Sequence, residues 1–560
     1  MGKAGEYLQK GNTILLKQFK QNFYVLSEKE KLIWWDKQAF LFNLFPSLML
    51  QSTSTTGSLV EAMVDQQLQL KGFVLNDAAA NIRRARSIAS PALLKLLNQW
   101  QSSKTILNRL YAKPVSARLF STDSLEKITN TYEKEISQLS AGTITQSLNT
   151  INWKLVQSSL APDEAAIEFV KIPFYRDGVF SDTIQYAAIL IRQSMASPKF
   201  ISLISEKKLV QYLAIDSSGE KEVSIHKIYR GLKLNNNGSF LGDSVYAAIW
   251  LPLMPYLQNI KKVSYSPDGI LHKLAFHAIP MSKDSILLDL FELQQYSSIR
   301  QIAERITGEN NLWKSVYMLG NPDFNNTVAV NGNTKRNTGT GPWQPLPGTA
   351  NEVAGLQQLF KSNNIAATLV SETKATEASF KYLNNHSPEI IHLATHGFFL
   401  KQKKDTEQKT GLILDGGETL SMADDPLLRS GIVLAGANNA WGKSRLDGEV
   451  EDGIVTAYEI AQLNLSNTKL VVLSACETAL GDVEGTEGVF GLQRAFKLAG
   501  VKNLVVSLWQ VPDKETVELM NLFYTNLLNK KPVRVAFNLA QKIMRSKYAP
   551  YFWAAFVLIE

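Results

Sequence analysis

The chain has 560 residues, 45% of them apolar and 20% charged, and its 59 Lys plus Arg against 51 Asp plus Glu leave a net charge of +8. This composition excludes a wholly disordered chain, a collagen and a coiled-coil rod, and the length exceeds the roughly 250–300 residues that one core serves, so two or three domains are expected. The basic excess is small and dispersed, which reads as a solvated surface, so no specific nucleic acid is expected as a partner.

Residues 1–145 read as helical. The start, Met1-Gly2-Lys3-Ala4-Gly5-Glu6, has no apolar run of signal-peptide type. The most apolar stretch, 39–50, contains Asn43 and Pro46 and falls short of the roughly 20 residues that cross a bilayer, so no membrane association is expected. Ser27-Glu28-Lys29-Glu30 has the capping-box pattern, in which Ser27 caps and Glu30 reaches back. Apolar residues at helical spacing then predict helices over 59–75, 79–87, 91–111 and 125–139. No fixed-period repeat is visible; the region reads as the remnant of a helical repeat array from a longer parent.

From 150 to 245 the pattern becomes a β-rich extension, with short runs at 165–170, 186–191, 200–203 and 209–214. Residues 261–266 and 271–276 flank Pro267-Asp268-Gly269, a turn signature between two strands. Beyond about 313, strands are predicted at 315–319, 366–370, 390–394, 469–474, 503–508 and 552–559, and helices at 351–362, 377–385, 489–498, 515–528 and 533–547. The fold class is therefore α/β: a mostly parallel sheet flanked by helices, preceded by a β-rich segment and an N-terminal all-helical region. The Asn-, Gly- and Thr-rich stretch 325–341 reads as a mobile loop. Segment 400–450 is too long for a simple crossover and carries one apolar strand at 431–435.

Three predicted strands end in chemically useful groups: His396-Gly397, the single cysteine Cys476, and Asp513. Sites in open α/β sheets lie beyond the carboxyl ends of the strands, so parallel neighbours would bring these groups to one rim. An imidazole near a thiol takes its proton and later protonates a leaving amine. The N–H groups of Gly397 and Cys476 are the candidate oxyanion hole. One cysteine excludes an intrachain disulfide, a Cys-x-x-Cys redox pair and a cysteine-based zinc site, and points to a reducing, cytoplasmic setting. Asp482 stands where a phosphatase loop needs Arg, and no Glu follows His392, so a metalloprotease motif is absent as well. No metal and no cofactor are expected, and His392 reads as a core or supporting residue.

The stretches Ile391-His392-Leu393-Ala394-Thr395-His396-Gly397, Glu451-Asp452-Gly453 through Glu459, and Val472-Leu473-Ser474-Ala475-Cys476-Glu477-Thr478 resemble the CHAT domain, a caspase-like peptidase family that is also similar to separase. Gly491-Leu492, Arg494-Ala495-Phe496, Ser507-Leu508-Trp509, Val511-Pro512-Asp513, Ser266 to Gly269, and Leu346 to Thr349 with Glu352-Val353 fit the same pattern. The resemblance implies a caspase-like core at about 313–560 within a CHAT domain at 245–560, and a His–Cys dyad with His396 as base and Cys476 as nucleophile. It also implies association with tetratricopeptide repeats, although the 145 N-terminal residues show no clear repeat.

The function expected is therefore a cysteine endopeptidase that cleaves a protein partner under regulation by a second protein or by the N-terminal helices. The alternative is a non-catalytic signalling or scaffold module that keeps the fold. Segment 400–450 is expected to build substrate loops that order on activation. Asp513 is the candidate S1 residue, because separase-like relatives place an Asp at the matching Trp-x-Val-x-Asp position to receive a basic side chain. Capping of the following helix is its alternative role. The acidic run Glu449, Glu451 and Asp452 is a second candidate for that pocket.

Overall fold

Helices α1 (Gly2–Asn22), α2 (Glu28–Leu50), α3 (Ser58–Leu70), α4 (Phe73–Ile88), α5 (Pro91–Tyr111) and α6 (Thr122–Ala141) form the N-terminal region of the computed structural model. The structure describes residues 2–22, 26–52, 55–88, 90–111, 122–141, 151–213, 228–229, 241–282, 284–305, 312–325, 342–399, 412–413, 419–420, 426–440, 451–474, 482–483 and 489–560. The capping box at α2 forms as its spacing predicts: Ser27 accepts from the Glu30 N–H, and the Glu30 carboxylate accepts from the Ser27 N–H. Helices α4, α5 and α6 pack through Ala85, Leu93, Leu97, Trp100 and Ile136.

After α7 (Trp153–Ser158) come the antiparallel strands β1 (Glu164–Arg176), β2 (Val179–Arg192) and β3 (Lys199–Ser205). The strand expected at 209–214 is instead part of helix α8 (Glu206–Leu213), because Leu209 and Leu213 recur at helical spacing and bury one face. Helix α9 (Leu241–Val245) precedes β4 (Lys262–Ser266). The strand expected at 271–276 is replaced by two short 3-10 turns, Gly269–Lys273 and Phe276–Ala278. The cause is local: Gly269 takes φ 55°, and the buried Asp268 carboxylate accepts the Gly269 N–H and the Lys171 N–H, so the chain turns toward β1. Helix α10 (Leu287–Leu290) and β5 (Glu292–Gln295) close this part.

The alternating region runs β6 (Ser315–Pro322), α11 (Pro347–Ser362), β7 (Ala366–Glu372), α12 (Glu377–Lys381), β8 (Ile390–Ala394), β9 (Gly397–Phe399) and the short hairpin of β10 (Leu412–Ile413) with β11 (Thr419–Leu420). It continues through β12 (Ser430–Val433), α13 (Ala437–Ala440), β13 (Ile454–Thr456), α14 (Ala457–Ile460), β14 (Leu470–Leu473), and β15 (Asp482–Val483) paired with β16 (Val489–Phe490). It ends with α15 (Leu492–Leu498), β17 (Asn503–Ser507), α16 (Asp513–Leu528), α17 (Val533–Arg545) and β18 (Phe556–Ile559). Helix α15 starts later than the predicted 489 because Val489 and Phe490 pair as a strand and Gly491 is the cap.

Among the described residues the main sheet has 11 strands in the order β3-β2-β1-β4-β5-β18-β17-β14-β8-β6-β7. The β2–β1, β3–β2 and β17–β18 pairs are antiparallel; the others are parallel. The chain leaves β6 toward one edge through α11 and returns across β6 through α12 to β8. Right-handed crossovers then put α11 on one face and α12, α14 and α15 on the other. Packing of α11 on α16, and of α14 on α15, agrees with that division. The N-terminal helices dock on the sheet and on the second face: Lys71 pairs with buried Glu168 of β1, Arg86 bonds Asn464, and Glu28 meets buried Arg494 of α15 at 2.8 Å. No helix among the described residues is long and apolar enough to cross a membrane.

Candidate active site

Strands β8, β14 and β17 lie side by side and parallel, with Leu470 opposite both Ile390 and Asn503. Parallel neighbours in this register carry their carboxyl ends to one rim. Strand order reverses between β6 and β8, so the crevice favoured for ligands opens beyond their carboxyl ends. His396 stands there, two residues after β8. Cys476, and residues 475–481 with it, lie outside the described residues, as do Glu449 and most of 400–450.

The imidazole of His396 is held on three sides. Its ring lies against Trp343 at 5.1 Å and Phe324 at 5.2 Å between centroids. Its Nε2 is 2.8 Å from the Gln344 carbonyl oxygen. A carbonyl only accepts, so Nε2 carries the proton and the neutral ring keeps its basic lone pair on Nδ1. Desolvation lowers the His396 pKa from its ordinary value; the Gln344 bond and the charge of Asp513 oppose this. The ring is therefore a neutral base at pH 7.

The clamp around His396 is itself positioned. Asn438 of α13 accepts the Trp343 N–H at 2.8 Å, and its amide donates to Trp343 O at 3.0 Å, which fixes the backbone leading to Gln344. Behind the ring, Thr395 Oγ1 donates to Val433 O, and the Val433 N–H donates to His396 O at 2.9 Å. Gly397 pairs with Ile432 next to that bond, so antiparallel alternation turns the Gly397 N–H away from β12. That direction leaves it available to an oxyanion.

Asp513 is the first residue of α16, and Pro512, not Asp513, is the N-cap; no side-chain cap bond forms there. Its carboxylate covers Gly348 at the start of α11 so closely that a Cβ on Gly348 would stand 2.1 Å from Asp513 Oδ2. The structure thus brings His396, Gly397 and Asp513 to one rim, together with Gln344 and Gly348. Glu451 and Asp452 serve other contacts. Glu451 accepts the Ala378 N–H at 2.9 Å, and Asp452 accepts the Ile454 N–H at 2.8 Å. Desolvation, and then the negative charge of the neighbouring buried Glu377, holds the Asp452 carboxyl well above its usual range.

The other described histidines have different settings. Burial pushes His272 and His277 down to about 3, so both stay neutral. His386 stacks on exposed Tyr382. His392 is wholly buried, with Nδ1 3.0 Å from Tyr524 OH and Nε2 3.0 Å from Glu352 Oε1. Gln344, Trp343 and Asn438 carry no sequence signal for this role, since one contributes a backbone carbonyl and the others hold it. Glu352 enters the sequence only as one letter of a motif.

A family model described as the CHAT domain matches residues 241–560. Among curated proteins, tetratricopeptide repeat protein 28 of Homo sapiens is 25% identical over 321 residues, 52% of this chain and 12% of that protein. The Mus musculus protein of the same name is 38% identical over 109 residues, 19% of this chain and 4% of that protein. The chain thus spans a small fraction of the length of the curated relatives it matches. Among solved structures, the Arg specific cysteine proteinase gingipain R aligns with a TM-score of 0.33 and 11% identity, over 60% of this chain and 72% of that one. The Saccharomyces cerevisiae separase-securin complex aligns with a TM-score of 0.41 and 9% identity, over 99% of this chain and 40% of that one.

Proposed function

Because the chain belongs to the CHAT domain family, we propose that it is a cysteine endopeptidase in which His396 and Cys476 form the catalytic dyad. The observation that carries this reading is the setting of His396: at the strand-order reversal, with Nε2–H tied to the Gln344 carbonyl and Nδ1 left as a base. His396 Nδ1 takes the Cys476 proton, and the thiolate attacks the scissile carbonyl carbon. The Gly397 and Cys476 N–H groups hold the oxyanion, worth roughly 3–4 kcal/mol for each donor. The His396 imidazolium then protonates the leaving amine as the C–N bond breaks. Water activated by the same ring hydrolyses the thioester and frees the thiol. No cofactor enters these steps.

Asp513 is the proposed S1 carboxylate. A Lys or Arg before the scissile bond would meet it beside His396 in a charge-assisted hydrogen bond, bidentate for Arg. The substrate is a protein, and the regulatory input comes from a partner acting through residues 1–145 or segment 400–450.

A proteome-wide cleavage profile of wild type against Cys476→Ala and His396→Ala tests the reading. Cleavages ending in Lys or Arg are expected to vanish in both variants, and Asp513→Ala to lose kcat/KM for those residues selectively. Wild-type cleavage by Cys476→Ala would overturn the dyad, and a wild-type profile with no cleavage would leave the scaffold alternative. A wild-type preference for Leu or Asp would remove Asp513 from the pocket.

A further inference from the structure

Glu352 lies on α11 and is 2% exposed, yet its two carboxylate oxygens reach two different strands of the sheet. Oε2 accepts from Ser474 Oγ at 3.0 Å, one residue beyond the end of β14. Oε1 stands 3.0 Å from Nε2 of His392 on β8, and the two atoms are poorly aligned for a hydrogen bond. His392 is closed on its other side by Tyr524 of α16. Ser474 precedes Cys476 by two residues and His392 precedes His396 by four, while α16 begins at Asp513. One buried carboxylate thus contacts the segments that lead to His396 and to Cys476, and reaches α16, whose first residue is Asp513, through His392 and Tyr524. The sheet around it is Ile, Leu and Val, where a buried carboxylate and imidazole cost stability that an apolar pair of the same volume would not.

The backbone ladder between β8 and β14 stops, among the described residues, at the Ser474 N–H donating to Leu393 O. At that level Glu352 adds a side-chain tie: its carboxylate holds Ser474, whose N–H makes that bond, and stands against His392, which pairs with Val472. Its own helix is anchored to β6, because Thr349 Oγ1 accepts the Asn321 N–H at 2.9 Å.

We infer that Glu352, acting through Ser474 and His392, is a positioning residue that sets the spacing of His396 to Cys476. The inference rests on the dyad reading. With the tie intact, Ser474, two residues before Cys476, is held against α11. Without it, the strand end relaxes, and the thiol loses the imidazole that lowers its pKa.

The chain has one cysteine, so alkylation of the full-length protein by iodoacetamide reports Cys476 alone. In wild type the alkylation midpoint is expected below the roughly 8.5 of a free thiol, and His396→Ala is expected to raise it. Ser474→Ala and Glu352→Gln should each move the midpoint up by about one pH unit and slow alkylation at pH 7 about tenfold, with Ser474→Thr restoring the wild-type profile. A purely structural role would lower the melting temperature and leave the pH profile unchanged, and that result overturns the inference. Ser474→Ala keeps the carboxylate and removes one hydrogen bond, so it stays informative if Glu352→Gln does not fold. A wild-type midpoint near 8.5 that ignores His396→Ala removes the dyad reading itself, and the positioning role with it.

Discussion

The tautomer of His396 is decided by one backbone oxygen. With Nε2–H bound to Gln344, burial disfavours the imidazolium, while the negative charge of Asp513 favours it. The pKa lies below the ordinary 6.5, so the base form is present above that midpoint and is lost only as the pH falls through it. Asp513→Asn removes an effect that raises the pKa, so the midpoint of His396 should fall further. Titration of the His396 ring by NMR checks this, and a midpoint that rises or stays fixed would place Asp513 out of electrostatic reach. The sequence pointed to His396, Gly397 and Asp513 because each ends a predicted strand. It was silent on Gln344 because a carbonyl oxygen belongs to every residue, and it gave Glu352 as a motif letter without a role, because a glutamate on a helix reads as solvent-facing until its neighbours are known.

At the scale of elements, α11 and α16 meet where Asp513 lies over Gly348. Pro347 fits the first turn of α11, whose early N–H groups need no helical partner, and Gly348 leaves room for the carboxylate. Gly348→Ala should displace Asp513, costing about 1–3 kcal/mol in unfolding experiments. It should also shift the His396 midpoint in the direction of Asp513→Asn; an unchanged midpoint would show that the carboxylate stays in place. Most elements are legible in the sequence, since alternation and helical spacing depend on near neighbours. Two of the exceptions share a cause, a partner distant along the chain. Residues 209–213 are helical because a packed face rewards Leu209 and Leu213, and 271–276 turns because Asp268 has backbone partners on β1 and Gly269.

For the whole molecule, the contacts between the N-terminal helices and the sheet are polar and buried as well as apolar. Lys71 pairs with Glu168, which is 1% exposed, and also donates to Phe169 O. Lys71→Met leaves a buried carboxylate without its cation and should destabilise the protein by about 3–5 kcal/mol. Adding Glu168→Gln should recover most of that loss in urea unfolding. If the single variant is as stable as wild type, this pair does not hold the helical region to the sheet.

Sequence alone determined the α/β class, the helical N-terminal region, the absence of an intrachain disulfide, and the three strand ends worth examining. These follow from local periodicity and residue chemistry, which act over a few positions. Tertiary structure decided that β1 to β3 join the same sheet as β14 and β8, and that β8 borders the reversal of strand order. It also decided that Gln344, Glu352 and Ser474 surround the site, from 352 − 344 = 8 up to 474 − 344 = 130 positions apart. Such partners are chosen by burial, where a polar group must find whatever lies opposite it. Spacing along the chain does not encode that choice.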